Sequence, residues 1–208
     1  MPHLITLDPH APPADALQRA AAVLRKGGLV VFPTETFYGL AADIASPEGL
    51  ERLALIKGRE AEKPFPLILA GREQLTPLVR EIPQLAERLM ARHWPGPLTL
   101  VLAAKAGVHK RLLSQDNGVG VRVSPWEAAS GLAQALGRGV TATSANLAGG
   151  APPRRVAELD PELAGAADLV LDGGPTPGGP PSTVLDVRQD PPRILRRGPI
   201  DIPEAVFY

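Results

Sequence analysis

Short apolar runs that alternate with amphipathic segments constrain the fold of this chain more than any other feature. Residues 14–26 carry apolar side chains at helical spacing, and Leu29 to Phe32 follow as a continuous apolar run typical of a buried strand. Further helices are predicted over 47–58, 83–92, 125–136 and 154–159, and further strands over 66–70, 98–102, 119–123, 140–143, 169–171, 183–187 and 193–195. The later strands come without long helices between them. The sequence therefore predicts an α/β fold, a twisted mixed sheet with helical cover.

Two short motifs predict where helices begin. In Ser46-Pro47 the serine has the place of an N-cap and the proline that of the first helical residue. The run Ser124-Pro125-Trp126-Glu127 has the pattern of a capping box, again with proline at the first helical position. We therefore expect the fourth helix to begin at Pro125.

The composition excludes several classes of function. The 208 residues include 22 basic and 22 acidic side chains, so the whole chain has no general attraction for nucleic acid, although a local basic patch is still allowed. There is no cysteine, and the four histidines lack ligand spacing, so no metal site is expected. We find no signal pattern and no apolar run of membrane-spanning length, which predicts a cytoplasmic protein without membrane contact.

Polar turns follow two of the predicted strands. Thr34-Glu35-Thr36 comes after the strand at 29–32, and Thr143-Ser144-Ala145-Asn146 lies at the end of the strand at 140–143. Ligands of open α/β sheets bind beyond strand ends, where hydroxyl and amide groups can contact them. The alternatives are a turn whose threonines satisfy backbone groups and, for the second motif, a helix cap.

Cationic residues form a second group of candidates. Lys57, Arg59 and Lys63 lie together near a predicted helix end, where they suit phosphate oxygens or, alternatively, complement the helix dipole. Arg122 lies inside an apolar strand, so it must meet either an internal carboxylate or a ligand anion. Arg196 is either a ligand contact or a solvated arginine. The chain has no P-loop motif, so a bound nucleotide would need another kind of pocket.

Seven motifs in a fixed order give a resemblance to a known family. They are Pro33-Thr34-Glu35-Thr36-Phe37-Tyr38-Gly39-Leu40, Lys57-Gly58-Arg59, Trp94-Pro95-Gly96-Pro97-Leu98-Thr99, Val119-Gly120-Val121-Arg122-Val123, Thr143-Ser144-Ala145-Asn146, Ser182-Thr183-Val184 and Ile194-Leu195-Arg196-Arg197-Gly198. In this order they resemble the YrdC-like family of threonylcarbamoyl-AMP synthases. The resemblance implies a YrdC/RibB-like fold with a concave basic face. We expect one such domain over 1–208, without the additional C-terminal domain of longer members.

The resemblance also implies an activity. Members join L-threonine, bicarbonate or CO₂, and ATP into threonylcarbamoyl-AMP with release of pyrophosphate, and Mg²⁺ accompanies the ATP. A separate tRNA threonylcarbamoyl transferase complex then uses the product to modify tRNA. Two alternatives stand beside this interpretation. One is a module that binds double-stranded RNA or tRNA, and the other is a YrdC-like paralogue with a different carbamoyl-type substrate.

Site residues follow from the resemblance, motif by motif. It implies that Lys57 and Arg59 are catalytic. The nucleotide contacts that it implies are Lys57, Arg59, Lys63, Thr143, Ser144, Asn146 and Arg196. Those implied for threonine are Thr34, Thr36, Arg122 and Ser182, with Arg122 on the carboxylate. Many members have a histidine shortly after the third basic position, and the run from Lys63 to Leu69 has none, which favours the paralogue alternative.

Overall fold

The computed structural model describes residues 2–58 and 64–203. Within these ranges the chain forms five α-helices and eleven β-strands, numbered here in chain order. The helices are α1 (Ala14–Arg25), α2 (Pro47–Ile56), α3 (Gln84–His93), α4 (Glu127–Leu136) and α5 (Pro161–Ala166). The strands are β1 (His3–Thr6), β2 (Val30–Pro33), β3 (Tyr38–Ala41), β4 (Leu67–Leu69), β5 (Leu98–Ala103), β6 (Gly118–Val123), β7 (Val140–Thr141), β8 (Thr143–Ser144), β9 (Leu169–Asp172), β10 (Thr183–Asp186) and β11 (Arg193–Arg196).

The strands form two mixed sheets. One has five strands in the order β1-β9-β2-β3-β8, and the other has six in the order β11-β10-β5-β6-β4-β7. The predicted α/β class with mixed pairing is confirmed, but the strands do not form one continuous sheet. The division falls inside the single strand predicted over 140–143, because β7 pairs with β4 whereas β8 pairs with β3. The chain thus passes from one sheet to the other at Ala142, next to the predicted site.

Side-chain alternation gives the six-stranded sheet two different faces. On β5, Leu98, Leu100 and Leu102 belong to a core that the two sheets share with α2 and α3. Thr99 and Val101 alternate with them and point to the opposite face. A second core lies between the helix pair α1 and α4 and the strands β2, β4, β7 and β9. These helices leave the second face uncovered over β5, β6 and β10.

The helix starts agree only partly with the sequence motifs. Ser46 caps α2 as predicted and accepts a hydrogen bond from the backbone N–H of Gly49 at 3.1 Å. The predicted start at Pro125 is wrong, since α4 begins at Glu127 with Trp126 as the N-cap. Ser124 Oγ is used elsewhere, because it donates to the Glu35 carboxylate at 2.6 Å.

The remaining differences concern short elements. The helix predicted over 154–159 is a single 3₁₀ turn, Val156–Glu158, and α5 was not predicted. The strands β1 and β3 were not predicted either. Among the described residues, no helix combines the length and the apolar character that a membrane crossing requires.

Candidate functional site

A polar cavity of about 200 Å³ lies where strand ends of both sheets meet. Its wall comes from the turn after β2, from β3, β5, β6 and β8, from the two residues before β10, and from the last residue of β11. Most of the predicted site residues line it, namely Thr34, Thr36, Arg122, Thr143, Ser144, Ser182 and Arg196. The polar turns that are far apart in the sequence therefore come together in space.

The two threonines of the first turn have different surroundings. Thr34 is 5% exposed, and its hydroxyl donates to the backbone oxygen of Phe37 at 2.7 Å and accepts the N–H groups of Thr36 and Phe37. Thr34 therefore closes the turn, as the structural alternative predicted. The Thr36 hydroxyl lies 3.2 Å from that of Thr34 and also lines the cavity. Of the two, Thr36 has the hydroxyl that can contact a ligand.

Arg122 meets an internal carboxylate and also lines the cavity. Its Nη1 donates to Oε1 of Glu35, and Ser124 Oγ donates to Oε2 of the same carboxylate at 2.6 Å. The side chains of Arg122 and Glu35 are 11% and 13% exposed, so this ion pair lies largely out of solvent. Pairing offsets the cost of burying both charges and fixes the guanidinium at the cavity wall.

Arg196 is the second guanidinium at the cavity. It donates through Nε to the backbone oxygen of Ser182 at 2.9 Å and through Nη2 to Ser182 Oγ at 3.0 Å. Ser182 Oγ in turn lies 2.8 Å from Thr99 Oγ1, so a chain of polar contacts runs along this wall. Partial burial lowers the pKa of Arg196, and the nearby positive charge of Arg122 lowers it further. An anion bound here would reduce the repulsion between the two guanidinium groups.

Lys57 lies behind the cavity wall. It is 5% exposed, and its Nζ donates to the backbone oxygen of Ser144 at 2.8 Å, to that of Asn146, and to Asn146 Oδ1 at 3.4 Å. Ser144 Oγ also donates to Asn146 Oδ1. The lysine thus holds the turn that follows β8. The predicted residues Arg59 and Lys63 lie outside the described residues.

A second depression, the sheet groove, adjoins the polar cavity. It has a volume of about 300 Å³ and lies on the uncovered face of β5, β6, β10 and β11. Of the described residues, three line both spaces, namely Pro66, Thr99 and Arg196. The two spaces therefore share one wall, which we call the junction.

At the far end of the groove, one guanidinium group is shared by two carboxylates. Arg188 Nε donates to Asp186 Oδ1 at 2.8 Å, and Arg188 Nη2 lies 2.6 Å from Asp116 Oδ2. The Arg188 hydrogen bond, supported by one from Ser114, lowers the pKa of Asp116 to about 2. The hydrogen bonds to Asp186 and Asp116 also raise the pKa of Arg188. Because of this pairing, the two carboxylates repel an anion in the groove far less than bare carboxylates would.

The sequence did not single out several residues that the structure places in this region. Glu35, Thr99 and Pro66 line the polar cavity, and Ser124 supports Glu35. Glu35 lies between the two threonines of a motif that the sequence analysis noted. Arg122 in an apolar strand indicated that a carboxylate or another anion would pair with it. Thr99 had the weaker signal of a hydroxyl in an otherwise apolar strand. Across the described residues, no group of three or more His, Cys, Asp and Glu side chains is placed to hold a metal ion.

Comparison with known proteins gives a family and a fold. The family model Sua5_yciO_yrdC, described as "Telomere recombination", matches residues 22–198. A threonylcarbamoyl-AMP synthase of Pyrococcus abyssi (strain GE5 / Orsay) is 39% identical over 185 residues, which are 89% of this chain and 54% of that protein. The chain thus spans about half the length of that relative.

Two solved structures are similar over almost the whole chain. The structure of P. abyssi Sua5 complexed with L-threonine has a TM-score of 0.86 at 37% identity, covering 94% of this chain and 57% of that one. The structure of E. coli YciO has a TM-score of 0.84 at 30% identity, covering 98% of this chain and 99% of that one. The second match shows that the same fold also occurs at about this length.

Proposed function

The chain belongs to the Sua5, YciO and YrdC family, and on this premise we propose that it is a threonylcarbamoyl-AMP synthase. It would join L-threonine, bicarbonate or CO₂, and ATP, and release pyrophosphate. The observation that carries the proposal is the junction, where a small polar cavity and a longer groove share a wall that includes Arg196. A reaction that joins a small molecule to a nucleotide needs two such adjacent spaces.

The sizes of the two spaces support one assignment of the substrates. The polar cavity, at about 200 Å³, is smaller than the ~300–1,000 Å³ pockets that hold drug-sized ligands, and its wall carries hydroxyls, a carboxylate and two guanidinium groups. These groups suit a small amino acid. The sheet groove is larger and more apolar, which suits a nucleotide. We assign threonine to the polar cavity, with Thr36, Arg122 and Ser182 as contacts, and ATP to the groove. This departs from the nucleotide contacts that the resemblance implies, because among the described ones only Arg196 lines the groove, whereas Thr143 and Ser144 line the polar cavity.

The proposed step takes place at the junction. The amino group of threonine, once it has lost a proton, forms a bond to the carbon of CO₂ and gives a carbamate. An oxygen of this carbamate then forms a bond to the α-phosphorus of ATP, and the bond from that phosphorus to the pyrophosphate oxygen breaks with its electron pair. No covalent bond to the protein is needed, so positioning and cationic stabilisation supply the catalysis. Arg196 lies where the negative charge of the transferred phosphoryl group would develop.

Mg²⁺ is proposed as a companion of ATP and not as a resident ion. The carboxylates of the groove, Asp116 and Asp186, are both engaged by Arg188, so they do not fit as ligands for a cation. The phosphate oxygens of ATP are the ligands that Mg²⁺ prefers, and the ion would arrive on them.

Pyrophosphate release tests the proposed function directly. With ATP present, we expect release only when threonine and bicarbonate are both added. Release without threonine, or with another amine or carbamoyl compound in its place, would support the paralogue alternative. Threonine-independent binding of tRNA or double-stranded RNA with a steep salt dependence, and no pyrophosphate release, would support the RNA-binding alternative.

Gly120 offers a test of where ATP lies. A Cβ atom added at this residue would lie 3.5 Å from Thr99 Cγ2 and 3.9 Å from Pro66 Cβ, which is ordinary contact, so packing does not require glycine. Glycine in a strand interior often marks the close approach of a ligand. We expect Gly120→Leu to fill the groove and raise the KM for ATP by about tenfold or more, which is ~1.4 kcal/mol.

Gly120→Ala is the matched control for that variant. Its methyl group fits beside Thr99, so we expect both the thermal stability and the KM for ATP to stay at wild-type values. The KM for threonine should stay the same in both variants, because Gly120 does not line the polar cavity. A wild-type KM for ATP in Gly120→Leu would place the nucleotide outside the groove.

The wider role follows from the product. Threonylcarbamoyl-AMP is a mixed anhydride that needs an acceptor, and we propose that a tRNA threonylcarbamoyl transferase complex in the cytoplasm transfers the group to tRNA. We further propose that the concave face that the resemblance implies is basic and attracts the ATP phosphates. Arg59 and Lys63, predicted to contact these phosphates, would add to that charge.

A further inference from the structure

Glu35 is the single carboxylate among the described residues that line the polar cavity. Its side chain is 13% exposed, and each of its two oxygens accepts one hydrogen bond, from Arg122 and from Ser124. A carboxylate oxygen has two lone pairs, so each oxygen can accept one more bond. Glu35 is therefore fixed in place and still able to bind a donor that enters the cavity.

Among the residues that the structure describes, the charges around the cavity are not balanced. Two guanidinium groups, those of Arg122 and Arg196, line it together with the one carboxylate of Glu35. Since Glu35 pairs with Arg122, Arg196 has no carboxylate within ion-pair distance among the described residues. A free amino acid has a carboxylate and an ammonium group. The arginines suit its carboxylate, and Glu35 has the complementary charge for its ammonium group.

We propose that Glu35 binds the α-ammonium group of the amino-acid substrate, and that it thereby selects an amino acid over the hydroxy acid of the same shape. The inference rests on the proposed function, because it takes the small substrate of the polar cavity to be an amino acid. It assigns Glu35 two simultaneous tasks. The carboxylate holds Arg122 at the wall and presents its remaining lone pairs to the substrate nitrogen.

Ser124 has a supporting part in this arrangement. It is 1% exposed, accepts the N–H of Trp126 at 3.2 Å and donates to Glu35 at 2.6 Å. It contacts Glu35 from behind and does not line the cavity. Ser124 is therefore a positioning residue, and its removal leaves the negative charge in place. This makes Ser124→Ala a useful comparison with changes at Glu35 itself.

The experiment compares threonine with 2,3-dihydroxybutanoate, in which a hydroxyl replaces the ammonium group. Calorimetric binding to the wild-type chain is expected to favour threonine by about 10- to 150-fold, the range for hydrogen bonds to charged groups. Glu35→Gln keeps the shape of the side chain and removes its charge. In this variant the preference is expected to disappear, mainly because threonine binds more weakly. Ser124→Ala is expected to keep the preference while binding both ligands less tightly.

Two further measurements, on Glu35→Asp and on ATP affinity, separate a loss of charge from a loss of structure. Glu35→Asp keeps the charge and is expected to retain the preference for threonine, which a purely structural role of Glu35 would not require. ATP affinity serves as the test of folding, and it should match the wild type in all three variants. Should Glu35→Gln fail to fold, equal binding of the two ligands by the wild type would still overturn the proposal.

The proposal is overturned if the wild type binds both ligands equally well, or if Glu35→Gln still prefers threonine. These results are distinct from a failure of the proposed function. Binding of threonine needs no turnover, whereas the proposed function fails if the wild type releases no pyrophosphate with all three substrates present. If the chain prefers threonine to the hydroxy acid through Glu35 but does not form the adenylate, the inference on Glu35 stands and the proposed function is wrong.

Discussion

Arg196→Gln is expected to lower the rate of pyrophosphate release at saturating substrates by about 10²–10³-fold, the usual loss when one preorganised donor to a developing charge is removed. Arg196 lines both the polar cavity and the sheet groove, so it lies where the carbamate and the α-phosphoryl group would meet. Its side chain bonds to Ser182 and packs into no hydrophobic core, so thermal stability should change little. Steady-state kinetics and a melting curve check both parts.

Arg197→Gln is the matched control. Arg197 is the next residue, carries the same charge and lines neither space. We expect wild-type kinetics from it. If both variants lost activity equally, the effect would come from net charge near the C-terminal strand and not from a contact at the junction. If Arg196→Gln kept full activity, the assignment of the reacting atoms to the junction would be wrong.

Lys57→Met is expected to lower the free energy of unfolding by about 2–5 kcal/mol. In the wild type a buried ammonium group donates hydrogen bonds to several oxygens, and in the variant these oxygens have no donor. Lys57 is 5% exposed, and its ammonium group binds backbone oxygens of Ser144 and Asn146. Activity should fall as well, since this turn lines the cavity through Thr143 and Ser144. Urea denaturation measures the first effect and pyrophosphate release the second.

Lys26→Met controls for the loss of a lysine as such. Lys26 follows α1 as Lys57 follows α2, at the same cap position, but it is exposed. Its replacement should leave both the unfolding midpoint and the activity unchanged. An unchanged midpoint in Lys57→Met, together with lost activity, would contradict the supporting role and favour a direct contact with the ATP phosphates.

The sequence predicted the central elements well because their signals are local. The apolar run before Pro33 and the strand that contains Arg122 both appear within a residue of their predicted bounds. The missed elements have weak local signals. The strand β1 is largely exposed, and α5 has only six residues, with Gly165, a poor helix former, inside it. The division into two sheets depends on pairing between distant segments, which no local pattern records.

For the side chains of the site, too, the sequence predicts local features but not contacts between distant residues. Charge and hydroxyl content singled out the turns that surround the cavity, and these turns do meet. The partners, however, come from far along the chain. Arg122 pairs with Glu35, 87 residues away, and Lys57 binds Ser144, also 87 residues away. Such pairs decide whether a cation faces a ligand or supports a turn, and only the folded arrangement shows them.

The strand β11 lies at the edge of its sheet, so local unfolding of this strand would affect the proposed catalysis. Three of its four residues are exposed, and its pairing with β10 is irregular between Val184 and Leu185. Fraying of such a border strand exposes little apolar surface, so it costs far less than melting the interior. Each fraying event would carry Arg196 away from the junction. If Arg196 acts at the junction as proposed, we expect activity to be lost at a lower temperature than the one at which the rest of the molecule unfolds.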